Sequence, residues 1–252
     1  MVLLLFVDLD PDLAALGPLG GFFALRTTGA PSPPPPTLAH VYGNASAHTD
    51  EHAVLDVRVR KVADALRAPE TRIAVSVAQQ GLAARLWSVA LGCAALYEQV
   101  PDLDPRLLRW DPAGSAPDDL WLSAVRPLPA TARTLTDLVL HGHLQPLANT
   151  LHARYRVAEG LLWGNAASAL AGAARQVDGW ARARGRTRAG GRARDLAAEL
   201  LAHPLLAGTG TLTGTAFRRR SCCLYYRVPG GGVCGDCCFP RPPCSSPGVT
   251  SG

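Results

Sequence analysis

From residue 51 to about residue 203 the apolar positions recur at helical spacing, and after that they stop. Between Glu51 and Leu66, Leu55, Val59, Val62 and Leu66 share one helix face, although Leu55, Val57 and Val59 also alternate as a strand would. Helix is the favoured reading. Beyond Pro69, Thr71 stands where an N-cap belongs, opening a helix to about Tyr97 with Val75, Leu82, Leu86, Val89 and Leu96 toward a core. Cys93 falls on that face and reads as a packed thiol. LLRW (Leu107 to Trp110) and LWLSAV (Leu120 to Val125) flank the turn-rich PAGSAPD and predict a β-hairpin.

Helical patterning then returns. One helix is expected from Ala130 to His141, and a second starts at Pro146 with Leu147, Leu151 and Tyr155 on its face. A third is defined by Trp163, Ala167, Leu170, Ala174 and Val177, and a fourth, Ala193 to Ala202, is ended by Pro204. The predicted fold is mainly α with a little β structure (α+β). An N-terminal segment (1–50) holds the proline-rich APSPPPP, a helical body spans 51–207, a cysteine-rich module spans 208–238, and a flexible tail spans 239–252.

Composition narrows the class. A chain of 252 residues that is 48% hydrophobic can fill a real core. Its formal charge is +5, with one lysine, Lys61, among 25 basic residues. Much of the excess lies in Arg175 to Arg194 and Arg218 to Arg220, where a solvated helix face competes with an anion-attracting one. Nucleic-acid binding is not expected, since no aromatic residues interleave with these arginines. MVLLLFVDLD has no basic leader region and is stopped by Asp8, so it reads as mature protein. No run approaches the roughly 20 apolar residues of a membrane span. The expectation is a soluble cytoplasmic protein, in which clustered cysteines hold metal rather than disulfides.

Five of the seven cysteines lie in SCCLYYRVPGGGVCGDCC, Ser221 to Cys238. Cys222 and Cys223 are adjacent, and Cys234 and Cys237 form a C-x-x-C pair. Four thiolates suit either a tetrahedral zinc ion or a [2Fe-2S] cluster, with a vicinal disulfide switch as a third reading. Zinc knuckles need residues between their ligands, whereas adjacent side chains in extended backbone point to opposite faces. The doublet therefore favours the cluster, whose two irons spread the attachment points. Pro229 and Gly230 to Gly232 predict a reversal that folds the halves together. A strict hairpin there would set Cys223 opposite Cys238, which makes Cys238 a competing ligand. Cys244 on the Pro/Ser/Gly tail reads as a nonfunctional thiol.

The order Cys-Cys, ten residues, Cys, two residues, Cys, within RRRSCCLYYRVPGGGVCGDC, resembles the C-terminal motif of ferric siderophore reductases of the FhuF type. AVSVAQQGLAARLW (Ala74 to Trp87) and LLWGNAASAL (Leu161 to Leu170) are similar to helical segments of that family. The resemblance implies that Cys222, Cys223, Cys234 and Cys237 hold a [2Fe-2S] cluster that passes one electron to the iron of a ferric siderophore of the hydroxamate type. Cys238 and Cys244 depart from the motif. The backbone of the glycine-rich turn and the charges of Arg218, Arg219, Arg220 and Arg227 would raise the cluster's potential, and the same arginines are candidates for binding substrate.

GTGTLTG (Gly208 to Gly214) does not match the nucleotide-binding G-x-G-x-x-G, so the electron donor is expected to be external, a ferredoxin or flavoprotein. Peripheral contact with a siderophore importer is compatible with this. The HGH of His141 to His143 invites a metal-site reading, but histidines two apart on a helix end face different directions, so His143 and His152 read as helix-end hydrogen bonders rather than iron ligands, and Tyr225 and Tyr226 as packing beside the turn. The siderophore is expected to dock between the helical body and the cysteine module. Two other classes compete: a noncatalytic iron-sulfur sensor or carrier, and a zinc-stabilised interaction domain.

Overall fold

The stretch from Ile73 to Ala95 is apolar on almost every side, which suits a helix only where neighbours surround it. In the computed structural model, which describes Leu13, residues 15–43 and residues 53–243, it forms the central helix. Helix α1 (Leu38–Tyr42) is short, α2 (Ala53–Leu66) packs on α3 (Thr71–Tyr97), and α3 is buried along most of its length. Four short strands follow, β1 (Gln99–Pro101), β2 (Leu108–Trp110), β3 (Leu120–Leu122) and β4 (Pro127–Pro129). Helices α4 (Ala132–Leu135), α5 (Gln145–Tyr155), α6 (Glu159–Ala183) and α7 (Thr187–Leu201) complete the body. A hairpin of β5 (Gly210–Thr213) and β6 (Ala216–Arg219) leads into the cysteine module. The fold is mainly α, with three two-stranded antiparallel sheets among the described residues.

Helix α6 lies along α3, and α7 along α6. The buried positions of α6 are mostly alanine and glycine, so little side-chain bulk separates the two longest helices. The expected hairpin forms, with Leu108, Arg109 and Trp110 opposite Leu122, Trp121 and Leu120. The pairing of β1 with β4 was not legible, because three-residue strands with proline at their ends carry no periodicity. The proline-rich run is held against β2: the Pro36 carbonyl accepts the Trp110 N–H at 2.9 Å and the Pro35 carbonyl accepts from Arg109 at 2.9 Å. The expectations for MVLLLFVDLD, for residues 51–52 and for Cys244 lie outside the described residues.

Three helix boundaries depart from the periodicity. Glu70, not Thr71, is the N-cap of α3, and its side chain makes no capping bond. Instead of one α-helix to His141, only Ala132–Leu135 is α-helical, and Thr136–Leu144 winds as a π-helix that runs directly into α5. Helix α7 begins at Thr187, ahead of Ala193, because the glycines of TRAGG hide its first turns. Among the described residues no helix is long and apolar enough to cross a membrane.

Two buried polar groups fix this body. Arg85 of α3 is 2% exposed, pairs with Asp119 at 3.1 Å, and donates to the carbonyls of Gly21 at 2.9 Å and Phe22 at 2.7 Å. It thereby pins the segment before α1 across α3. His143, in the π-turn, is wholly buried. Its Nε2–H donates to the Leu103 carbonyl at 2.6 Å, so Nδ1 accepts from the Tyr42 hydroxyl at 3.0 Å. His143 therefore serves packing, while His141 is exposed and bonds Gln145 Oε1 at 3.0 Å, and His152 Nδ1 bonds the Val157 carbonyl at 2.9 Å.

Burial pushes the His143 imidazole from 6.5 down to about 4, against weaker opposing effects of Leu103 and Asp104. The fold favours the neutral ring, so the stabilisation is complete above pH 6.5 and is lost as pH falls toward 4. It amounts to as much as about 3 kcal/mol. Urea denaturation of wild type and His143→Gln should give a stability gap that is largest at pH 7 and narrows between pH 6.5 and 4. A gap independent of pH would show that the ring does not titrate with unfolding.

Candidate metal centre

Strand alternation decides which arginine of Arg218 to Arg220 goes inside. In β6, Phe217 and Arg219 face inward while Arg218 and Arg220 face solvent, the two-residue period of a half-buried strand. Arg219 is 2% exposed. Its Nη2 donates to Asn165 Oδ1 of α6, while Nε and Nη1 have no hydrogen-bond partner. Asn165 Nδ2 in turn donates to the Ser76 carbonyl at 2.9 Å, and the Ser76 hydroxyl donates to the Cys223 carbonyl at 2.8 Å. One buried polar chain thus joins α3, α6, β6 and the cysteine doublet.

The module after β6 has no strands. The hairpin expected about PGGG is replaced by a 3-10 turn, Tyr225–Arg227, and a tight bend in which the Gly231 N–H bonds the Val228 carbonyl at 2.7 Å. A Cβ on Gly231 would lie 2.5 Å from the Tyr225 carbonyl, so glycine is required there. Because the bend is tighter than a ladder, Cys223 meets Cys234, not Cys238, with the two sulfurs 3.6 Å apart. Cys222 joins Cys237 and Cys238, whose three sulfurs all lie within 4.8 Å of one another. Adjacent residues Cys222 and Cys223 send their thiols into different groups.

The module is anchored on several sides. Ser221 Oγ donates to the Gly160 carbonyl at 2.9 Å, and Arg227 pairs with Glu70 at 2.7 Å. Asp236, inside the C-x-x-C, is 8% exposed. Its carboxylate accepts from Ser168 at 2.7 Å and Arg175 at 3.3 Å, and its carbonyl accepts the Arg219 N–H at 2.9 Å. Tyr226 packs edge-on against Phe239, while Tyr225 is 38% exposed. Of the four arginines considered for substrate, Arg219 is buried, Arg227 is paired with Glu70, and Arg218 donates to the Cys238 carbonyl. Arg220 is exposed beside the module.

The electrostatics divide the thiols, holding Cys223 down and pushing Cys222 and Cys234 up. The Leu224 N–H reaches Cys222 Sγ at 3.2 Å, and the Phe239 N–H reaches Cys237 Sγ at 3.4 Å. Cys223 is held down at about 6 by the hydrogen bond with Cys234, by the Tyr225 N–H and by the charge of Arg219. Cys234 is pushed well up by that same bond and by burial. Burial raises Cys222 to about 11. A buried guanidinium with two unpartnered nitrogens needs an anion nearby, and an anionic cluster held by cysteine thiolates meets that need. The donor set and its counter-charge fit such a group.

Sulfurs gathered beside a buried cation, on a helical platform, define a metal-thiolate protein. Comparison with known families sharpens this. Residues 65–220 match the family described as "Ferric iron reductase FhuF-like transporter", and residues 219–239 match the "FhuF 2Fe-2S C-terminal domain". The chain belongs to this FhuF-like ferric iron reductase family, and its cofactor is a [2Fe-2S] cluster. No curated protein matches the chain.

Sequence reading missed Ser76, Asn165, Ser168 and Asp236, although all but Asp236 lie within the two helical segments noted for their family likeness. The basic stretch after Arg175 is spent largely on acids. Arg182 and Arg194 pair with Asp178, Arg188 and Arg192 pair with Glu98, and Arg175 pairs with Asp236.

Gly164 tests how the module docks, because a Cβ there would collide with the Ser221 hydroxyl. Gly164→Ala should cost about 1–3 kcal/mol in chemical denaturation. Gly179→Ala, on the same helix with open space around it, should instead stabilise by up to about 1 kcal/mol. Equal effects of the two changes would mean that the contact with Ser221 carries no weight.

Proposed function

We propose that this protein reduces the ferric iron of an imported hydroxamate siderophore, releasing it as ferrous iron, with Cys222, Cys223, Cys234 and Cys237 as the cluster ligands. The observation that carries the ligand assignment is the division of the thiols. Cys223 and Cys234 form one pair and Cys222 lies with Cys237 and Cys238 in a second group, so that two groups of thiols would hold a two-iron cluster, with Cys237 taken from the second group by its place in the C-x-x-C. Cys238 shares the second group and is the ligand that stands in if Cys237 is lost.

Bound there, the cluster supplies one electron at a time, which is what the conversion of ferric to ferrous iron needs. Hard oxygen donors hold ferrous iron far more weakly, so reduction is release. The chain's own residues set the conditions. Arg219 offsets the negative charge of the thiolates, and the Leu224, Tyr225 and Phe239 N–H groups donate to sulfur, both of which favour the reduced state. Arg227 and Ser221 hold the module to the body, and Ser76 orients the Cys223 backbone. The electron comes from a ferredoxin or flavoprotein of the cytoplasm.

Serine substitution should separate the thiols. Cys222, Cys223 and Cys234 variants should lose the iron, the acid-labile sulfide and the visible spectrum. Cys238→Ser should keep all three, and Cys237→Ser should keep a cluster with an altered paramagnetic resonance signal. Loss of the cluster in Cys238→Ser would reverse the ligand assignment.

Protein reduced with dithionite and freed of excess reductant should be reoxidised by a ferric trihydroxamate, with one ferrous ion trapped per electron by a ferrous chelator. Reoxidation at the slow rate given by buffer alone would remove the reductase reading.

A further inference from the structure

Beside the cysteine module lies a groove of about 410 Å³, open to solvent, whose walls come from three parts of the chain. Residues 19–23 form one side, α3 contributes Gln80 and Ser88, and α6 contributes Gly172, Arg175 and Gln176. Asp236 also lines it. The size is that of a small-molecule site. Both walls are fixed: Arg85 holds the Gly21 and Phe22 carbonyls, and Gln176 Nε2 donates to the Leu19 carbonyl at 3.0 Å.

We propose that this groove is where the ferric chelate docks, with Asp236 forming the wall between chelate and cluster. The inference rests on the reductase reading given above and adds the site. Asp236 lines the groove and is the direct neighbour of Cys237, and consecutive Cα atoms are about 3.8 Å apart. A chelate in the groove would therefore rest against the residue next to Cys237 in the chain.

Charge points the same way. Arg175 and Asp236 compensate each other, and Gln80, Ser88 and Gln176 add neutral donors and acceptors. Ferric iron bound by three hydroxamates carries no net charge, because three single negative charges balance the metal. A neutral complex enters such a lining without an unbalanced charge, whereas a tris-catecholate complex of charge −3 does not. Phe22, 44% exposed at the rim, offers its ring to the apolar arms of the chelate. Gly172 leaves room: the nearest atom to a Cβ there is Arg175 Nη2 at 3.9 Å, so a larger side chain grows into the groove rather than into the core.

The test uses the cluster-loaded protein and a gallium(III) trihydroxamate, which matches the ferric complex in charge and shape but takes no electron. Titration calorimetry should show it binding to wild type and about tenfold or more weaker in Gly172→Leu and in Phe22→Ser. Gly179→Leu, matched in chemistry but remote from the groove, should bind as wild type does. All three variants should keep the wild-type visible spectrum and the wild-type rate of oxidation by ferricyanide, which needs no groove. Gallium tris-catecholate should bind poorly to all. Unchanged gallium trihydroxamate affinity in Gly172→Leu and Phe22→Ser overturns the groove, as does wild type that fails to bind gallium yet is reoxidised by the ferric complex. Failure of the ferric complex to reoxidise wild type strikes the reductase reading itself, and the gallium titration still reports on docking.

Discussion

A guanidinium at the junction of helix, strand and cysteine loop constrains everything around it. Removing a charge from water costs several kcal/mol unless it is matched by hydrogen bonds and an opposite charge. Arg219 spends one nitrogen on Asn165 and leaves two directed to no protein acceptor. The balance must come from the cysteines, where the Arg219 charge helps to hold Cys223 down, while Cys234 is pushed up by its bond with Cys223 and by burial. The cation is therefore a structural demand for an anionic centre, and it is seated by the same amide that bonds Ser76.

That coupling explains why the helical body and the cysteine loop form one device. Ser76 and Asn165 come from helices whose own packing depends on small residues, and they meet only because α3 and α6 lie close together. Gly164 on the same face of α6 lets Ser221 approach, so the helix that supplies the polar anchor also provides the space for the loop. The loop is short of regular structure, and its shape is set by these outside contacts together with the Gly231 bend.

Asp236 occupies the corresponding position on the other side. Its carbonyl takes the Arg219 N–H and its carboxylate is held by Ser168 and Arg175, so one residue fixes the loop between Cys234 and Cys237 and also lines the groove. Asp236 is held rigidly there by bonds to α6 and β6, elements anchored in the core.

The chemistry was largely legible in the chain. A vicinal cysteine pair, a glycine-rich reversal and a C-x-x-C identify a thiolate centre, because ligand type and spacing are local properties. The long helices were legible for the same reason, since their apolar period is written in consecutive residues. The π-turn at Thr136–Leu144 and the early start of α7 were not, as both depend on what packs against them rather than on local propensity. Strand alternation around Phe217 carried a signal that Arg219 points inward, but nothing local says that Asn165 and Ser76 wait there. Sequence alone determined the kind of centre and the residues able to ligate it. Tertiary structure decided where the counter-charge lies and how the module is seated, because these depend on contacts between residues 54 to 147 positions apart, set by how closely α3 and α6 pack, while the tight bend at Gly231 decided how the thiols are grouped.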